Sequence, residues 1–154
     1  MREIEFRGKT SSGRWLYGDF RHGWSDESPS GYITQDHKYV MVKKETVGQY
    51  TGLKDENGVK IFEGDVINVN KGGIWLLSVV KFDEETATFS VFGFTSWYPL
   101  HLFKGRKVEG TIFDEKYKVF QDMYNFTKYE PIEGEIRVEI TIDNIDIQSK
   151  NQNQ

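Results

Sequence analysis

Residues 47–69, Val-Gly-Gln-Tyr-Thr-Gly-Leu-Lys-Asp-Glu-Asn-Gly-Val-Lys-Ile-Phe-Glu-Gly-Asp-Val-Ile-Asn-Val, constrain the fold of this chain more than any other stretch. Gly48, Gly52, Gly58 and Gly64 punctuate it. Glycine suits either a positive φ or a close approach of two backbones. Residues 54–58, Lys-Asp-Glu-Asn-Gly, are a strong turn signal, because Asn-Gly supplies the left-handed residues a tight hairpin needs. Ile61-Phe62 and Val66–Val69 read as strands, with Glu63-Gly64-Asp65 as a turn or bulge between them. The segment holds no nucleophile and no metal-ligand cluster. It reads as a joint: a connector over 47–53 with two glycine bends, a hairpin, and entry into a barrel. Tyr50, Leu53 and Phe62 are expected to pack where two sheets meet.

The flanking sequence is β-like. Residues 2–7 alternate apolar and charged, which predicts a strand with one buried face. Residues 10–13 read as a turn and Trp15–Phe20 as the return strand. A loop over 21–31 precedes two short strands, 31–34 and 38–42, around Gln35-Asp36-His37. Further strands are expected over 74–82, 86–94 and 108–113. Residues 97–103 are interrupted by Pro99, which belongs at an edge or a turn. Residues 114–130 lack alternation, but Tyr117, Phe120, Met123 and Tyr124 can share a helical face, so the segment reads as a weak helix or an irregular stretch. Residues 135–142 alternate strictly and predict one long strand. The expected fold class is therefore all-β: a small N-terminal meander (1–46), an SH3-like barrel (47–115), and a C-terminal extension (116–154) carrying that strand.

Composition fits a thin β core. A chain of 154 residues is long enough to bury roughly two thirds of its unfolded surface. Only 37% of residues are hydrophobic, but 11 Phe, 8 Tyr and 4 Trp supply large burial areas. The absence of Cys excludes disulfides, Cys-based zinc sites and thiol catalysis. No apolar run approaches the ~20 residues a membrane helix needs, and the N-terminus lacks the apolar core of a signal peptide. The expectation is a cytoplasmic protein with no membrane partner.

Charge is unevenly placed. Residues 129–154 hold six acids and two bases; removing these from the totals of 24 and 20 leaves 18 of each in residues 1–128. A neutral body does not advertise a nucleic-acid partner. The best local candidate is Lys104, Arg106 and Lys107 beside Trp97, Tyr98 and Phe103, where bases grip phosphates and rings stack on nucleobases. A solvated loop next to core aromatics is the simpler reading.

Other candidate sites are thinner. Glu63 and Asp65 could share a strand face and hold a cation or divide acid and base roles. Without a visible third ligand, they read better as solvated or capping groups. His22, His37 and His101 are scattered, so no metal site is expected. Arg14, Asp19 and His22 beside Trp24 read as a loop hydrogen-bond network. The glycines lack the Gly-Lys-Ser/Thr and following helix of a phosphate loop. No cofactor is expected, and no catalytic constellation is visible. In the extension, Ile136, Val138, Ile140 and Ile142 would line one face of a strand able to pair with a second copy.

Phe6–Lys9, Trp15–Phe20, residues 46–66 and residues 108–115 together resemble the YopX family, small proteins of phages and prophages. Gly110-Thr111 stands where Gly-Asn is common in that family, and residues 116–154 extend past its usual end. The resemblance implies a β-rich protein with an SH3-like second half, encoded by a mobile element. It carries over no activity, substrate or catalytic residue. The expected role is a non-catalytic interaction module that self-associates and binds a host or phage protein. A nucleic-acid-associated role for residues 97–107 is the alternative.

Overall fold

A computed structural model describes residues 1–25, 27–93 and 96–126. The chain is mainly β, with two antiparallel sheets. Strands β1 (Phe6–Lys9), β2 (Trp15–His22), β3 (Ser30–Gln35), β4 (Lys38–Lys54) and β5 (Lys60–Phe62) form the first sheet in that order. β1 also pairs with β4, so strands β1 to β4 close on themselves and β5 stays outside the closure. Strands β6 (Asp65–Lys71), β7 (Ile74–Asp83), β8 (Thr88–Gly93), β9 (Ser96–Pro99) and β10 (Arg106–Thr111) form the second sheet, in the order β10-β6-β7-β8-β9. A 3₁₀ turn at Leu100–Leu102 follows Pro99, and helix α1 (Lys118–Phe126) follows β10. The strand read at 135–142 lies outside the described residues.

β4 organises both halves. Lys38–Lys43 pair with β3, Lys43, Gly48 and Gln49 with β1, and Tyr50 and Lys54 with β5. Residues 47–53, expected to be a connector, are therefore the second half of a 17-residue strand. Both uses of glycine occur within it. At Gly48 an added Cβ would sit 2.3 Å from the Glu63 carbonyl oxygen, whereas Gly52 takes a positive φ of 84°. A bulge between the two halves of β4 is closed by Thr46, whose hydroxyl donates to Lys43 O and accepts from the Lys9 N–H.

β1 begins later than the alternation at 2–7 predicts. Ile4 is exposed, so the apolar positions of residues 2–5 have no core to face. The turn chemistry also differs in detail. The two-residue turn with both residues left-handed is Asp36-His37, at φ 49° and 62°. At Asn57-Gly58 only Gly58 is left-handed. There Gly58 N–H donates to Asp55 O and Asp55 N–H to Val59 O, the wider turn with a glycine bulge that also serves hairpins.

The core has three centres. Leu16, Ile33 and Val42 fill the closed first sheet, with Phe6 and Phe20 packed against them. Ile61, Ile67, Val69, Val80, Val91, Leu100 and Phe103 fill one face of the second sheet. Val66 and Val79, cross-strand partners, meet Ile112, Tyr117 and Phe120 on the other. β6 is thus buried on both faces, which explains its run of Val66-Ile67 rather than a clean alternation. Each such Val, Ile or Phe contributes roughly 1.5–3 kcal/mol when fully buried. Of that amphipathic segment Lys118–Phe126 form the helix, with Phe120 and Tyr124 against the second sheet, and Tyr117 sits in the 3₁₀ turn before it.

Candidate functional site

The Glu63-Gly64-Asp65 turn is where the two sheets are tied together. Asp65 opens β6 and meets Arg7 of β1, with Nη1 2.6 Å from Oδ1 and side chains 6% and 1% exposed. Arg7 Nη2 also donates to Glu63 O at 3.3 Å. The guanidinium lies over two rings, 4.8 Å from the Trp15 centroid and 5.0 Å from that of Phe62. Asp65 Oδ2 accepts the Phe62 N–H at 2.8 Å, so the carboxylate also caps its own turn. Burial pushes the Asp65 carboxyl above its ordinary range, and Arg7 and the Phe62 N–H pull it back. Asp65 is thus a capping group, as one reading of the sequence has it, but a buried one rather than a solvated one.

Glu63 faces a different neighbour. Its Oε1 accepts the Tyr124 hydroxyl of α1 at 2.7 Å. Burial, and then the nearby Glu63 charge, push that phenol well above its usual range. Gly64, at φ 85°, accepts Ile112 N–H and donates to Val80 O. The two carboxylates are therefore divided between a guanidinium and a phenol. Among the described residues no three His, Cys, Asp or Glu converge as a metal site.

Beside this junction lies a cleft of about 450 Å³ between β5 and β10. Arg7, Phe62 and Asp65 line it together with Glu5, Tyr17 and Lys60. The Lys60 ammonium sits 2.6 Å from both Glu3 and Glu5. Its hydrogen bonds to those two carboxylates hold it well above the usual lysine range. Tyr17 and Tyr50 both pack on Phe62, at centroid distances of 5.5 and 5.6 Å. Tyr50, Leu53 and Phe62 do pack at the meeting of the sheets, as the sequence suggests.

Asp55 closes the far end of the β5 hairpin onto β10. Its Oδ1 accepts the Asn57 and Val59 N–H groups, and its Oδ2 accepts Val108 N–H at 3.0 Å. Desolvation opposes ionisation, but these three donors, helped by Lys107, outweigh it and hold the carboxyl below its usual value. The reading of this segment as a turn identifies the local half of that role. The Val108 contact spans 53 positions and leaves no mark on the local pattern.

A second feature is the outer face of the first sheet. Arg21, Tyr32 and Met41 are cross-strand neighbours on β2, β3 and β4. Arg21 lies over the Tyr39 ring at 5.5 Å. Trp24 is fully exposed at 100%, and Tyr39 and Met41 are exposed as well. Arg21, His22, Trp24, Tyr32 and Tyr39 surround a cavity of about 470 Å³. The strands over 15–20, 31–34 and 38–42 were legible in the sequence, but the alignment of Arg21, Tyr32 and Met41 across β2, β3 and β4 was not.

The other candidate residues are placed as follows. Lys104 and Lys107 are exposed. Arg106 donates from Nε to Lys54 O and from Nη1 to Phe103 O, so its guanidinium braces the β10 entry. Trp97 and Tyr98 are half-buried on β9, packed against Phe92 and Phe103. Lys71 Nζ lies 3.7 Å from the Tyr98 ring centroid. β9 and β10 occupy opposite ends of the second sheet's strand order. His22 packs on Phe20, His37 forms the β3–β4 turn, and His101 sits in the 3₁₀ turn. No described hydrogen bond or ion pair joins Arg14, Asp19 and His22. Ile136, Val138, Ile140 and Ile142 lie outside the described residues. Among the described residues no helix is long and apolar enough to cross a membrane.

No curated protein matches the chain. Among solved structures, a crystal structure of protein EF1440 from Enterococcus faecalis is similar with a TM-score of 0.43 at 19% identity, covering 73% of this chain and 94% of that one. The family model described as YopX protein matches residues 5–115, from the first residue of the cleft through the Ile112 contact that closes the Gly64 turn. With well over half of its length matched, the chain belongs to the YopX family.

Proposed function

We propose that this YopX-family chain is a non-catalytic, cytoplasmic interaction module of phage or prophage origin that binds another protein through the outer face of its first sheet. The observation that carries the reading is the exposed group of Arg21, Trp24, Tyr39 and Met41 beside the half-buried Tyr32. Aromatic residues, Met and Arg are the types enriched in protein interfaces, and Trp, Tyr and Arg dominate their hot spots. Trp24, fully exposed in the segment after β2, contributes nothing to the core, and a partner surface accounts for it better. Self-association through the strand read at 135–142 belongs to the same proposal. The order β10-β6-β7-β8-β9, with a 3₁₀ turn before β10, supports the SH3-like description of the second half.

The nucleic-acid reading of residues 97–107 has less support. Arg106 already donates to two backbone carbonyls, and Trp97 and Tyr98 are packed against other rings. One experiment separates the two readings. Tagged wild-type protein and the Trp24→Ala/Tyr39→Ala variant are purified from host cells, with and without nuclease. A protein partner that survives nuclease and is lost with the variant supports the interaction module. Partners that vanish on nuclease treatment, and are retained by the variant, would reject it in favour of the second reading. Sedimentation of the full chain tests self-association, which a monomer at all concentrations overturns.

A further inference from the structure

The outer face of the first sheet combines aromatic rings with polar groups that the chain itself does not use. Arg21, Tyr32 and Met41 stand side by side on β2, β3 and β4, and Thr34 and Tyr39 form the next pair across β3 and β4. Trp24 joins Arg21, Tyr32 and Tyr39 around the cavity of about 470 Å³. The polar tips there are the Trp24 Nε1–H, the Tyr32 and Tyr39 hydroxyls and the Arg21 guanidinium. Among the described residues no hydrogen bond or ion pair engages them, and Arg21 rests on the Tyr39 ring at 5.5 Å. The indole and the guanidinium can only donate, and the phenols donate as well as accept.

The chemistry of the face selects the occupant. β3, at its centre, is paired on both sides, so the face offers rings and not a main-chain edge for an added strand. Its donors match a segment rich in carbonyl acceptors and poor in N–H groups. Polyproline is such a segment. Proline lacks the N–H, its extended helix leaves every carbonyl free, and its rings lie against aromatic grooves at low entropic cost. Charge adds a polarity. Side chains on one face recur every second residue, so Asp19 and Lys43 belong to it with Arg21 and Met41. Lys43 lies opposite Ser30, at the Arg21 end, whereas Asp19 lies opposite Thr34, at the other. An acidic residue is therefore favoured at the Arg21 end. We propose that this face binds a proline-rich polypeptide segment flanked by acidic residues, with prolines against Trp24, Tyr32 and Tyr39 and the acid beside Arg21. The proposal rests on the reading of this face as a protein-binding surface and names the chemistry of the partner.

The test uses the full chain labelled with ¹⁵N and follows the Trp24 indole N–H. Three capped peptides are titrated: hexaproline preceded by two glutamates, hexaproline preceded by two lysines, and an alternating Thr-Val peptide of equal length preceded by two glutamates. The first is expected to shift the resonance saturably. It should bind about tenfold more tightly than the Thr-Val peptide, the worth of about one good hydrogen bond. It should bind about threefold more tightly than the lysine-flanked peptide, the worth of one exposed ion pair. Arg21→Gln should abolish the preference for glutamate over lysine and keep that for proline over Thr-Val. Trp24→Ala, followed through the Met41 amide, should weaken hexaproline binding by about tenfold or more. Both substituted side chains are exposed, so both variants should fold as the wild type does. Equal or tighter binding of either control peptide overturns the proposal, as does the lack of saturable shifts with hexaproline. In that event, capture of a protein partner that is still lost with Trp24→Ala/Tyr39→Ala leaves the interaction module standing without a proline-rich partner. Capture retained by that variant removes both readings.

Discussion

Arg7 and Arg21 are both arginines stacked on aromatic rings, one at the junction of the sheets and the other on an outer face. Arg7 lies between 4.8 and 5.0 Å from two ring centroids and has a carboxylate at 2.6 Å. Arg21 lies 5.5 Å from one ring and is exposed. The difference in burial changes what the same chemistry does. Where water is excluded, the guanidinium must be neutralised, and the pair then fixes how β1 and β6 meet. Where water has access, the cation and rings keep their solvation and remain available to a partner. Junction substitutions should therefore act on stability, and substitutions on the outer face should act on binding.

The largest expected effect breaks the junction. Arg7→Met leaves Asp65 buried and uncompensated, and should destabilise the chain by about 3–5 kcal/mol in urea unfolding. A loss under 1 kcal/mol would mean the pair is not buried as described. Gly48→Ala follows, because its methyl group would meet the Glu63 carbonyl at 2.3 Å and neither backbone can yield freely. Its expected cost is about 1–3 kcal/mol by thermal unfolding. Gly58→Ala provides a contrast, since its site is open and only its positive φ of 79° opposes the change.

Asp55→Asn comes next, at about 1–3 kcal/mol, because an amide N–H₂ would face a backbone N–H that the carboxylate now accepts. Its pH dependence has a definite sign. The folded carboxyl sits below its ordinary value of 3.8. Its ionised form therefore stabilises the fold above that pH, and this contribution is lost as pH falls through the folded value. The gap between wild type and Asp55→Asn should be full at neutral pH and narrow below pH 3.8, as measured by urea midpoints. A gap that widens on acidification would contradict the three-donor arrangement. The smallest effect on stability belongs to Trp24→Ala, within about 0.5 kcal/mol. Loss of partner capture with no change in melting temperature would sharpen the contrast with Arg7. A destabilisation of more than 1 kcal/mol would erase it.

The β character and most strand positions were legible because alternation and turn residues are local signals. Asp36-His37 and Gly58 mark real turns, and the 31–34 and 38–42 segments pair across the first of them. The glycine-rich segment was legible as a joint, but not as a continuous strand. Gly48 sits in β4 because another backbone passes over it, and that backbone belongs to residue 63. The Arg7–Asp65 pair was illegible for the same reason. Nothing near Arg7 distinguishes it from Arg2 or Arg14, which are exposed. Glu63 and Asp65 stand in the sequence as a pair of carboxylates, yet the structure gives each a different partner.

By itself the sequence determined the class of fold, the family and the turns, since these follow from side-chain periodicity and backbone preference over a few residues, whereas the core expected to rest on aromatic rings is mainly Val, Ile and Leu. Only the tertiary structure decided that β1 closes onto β4, that Arg7 neutralises Asp65 beneath Trp15 and Phe62, and that Arg21, Tyr32 and Met41 align across three strands. Those contacts join positions far apart in the chain. Their energies depend on the exclusion of water and on strand register, and both come into being only when the sheets assemble.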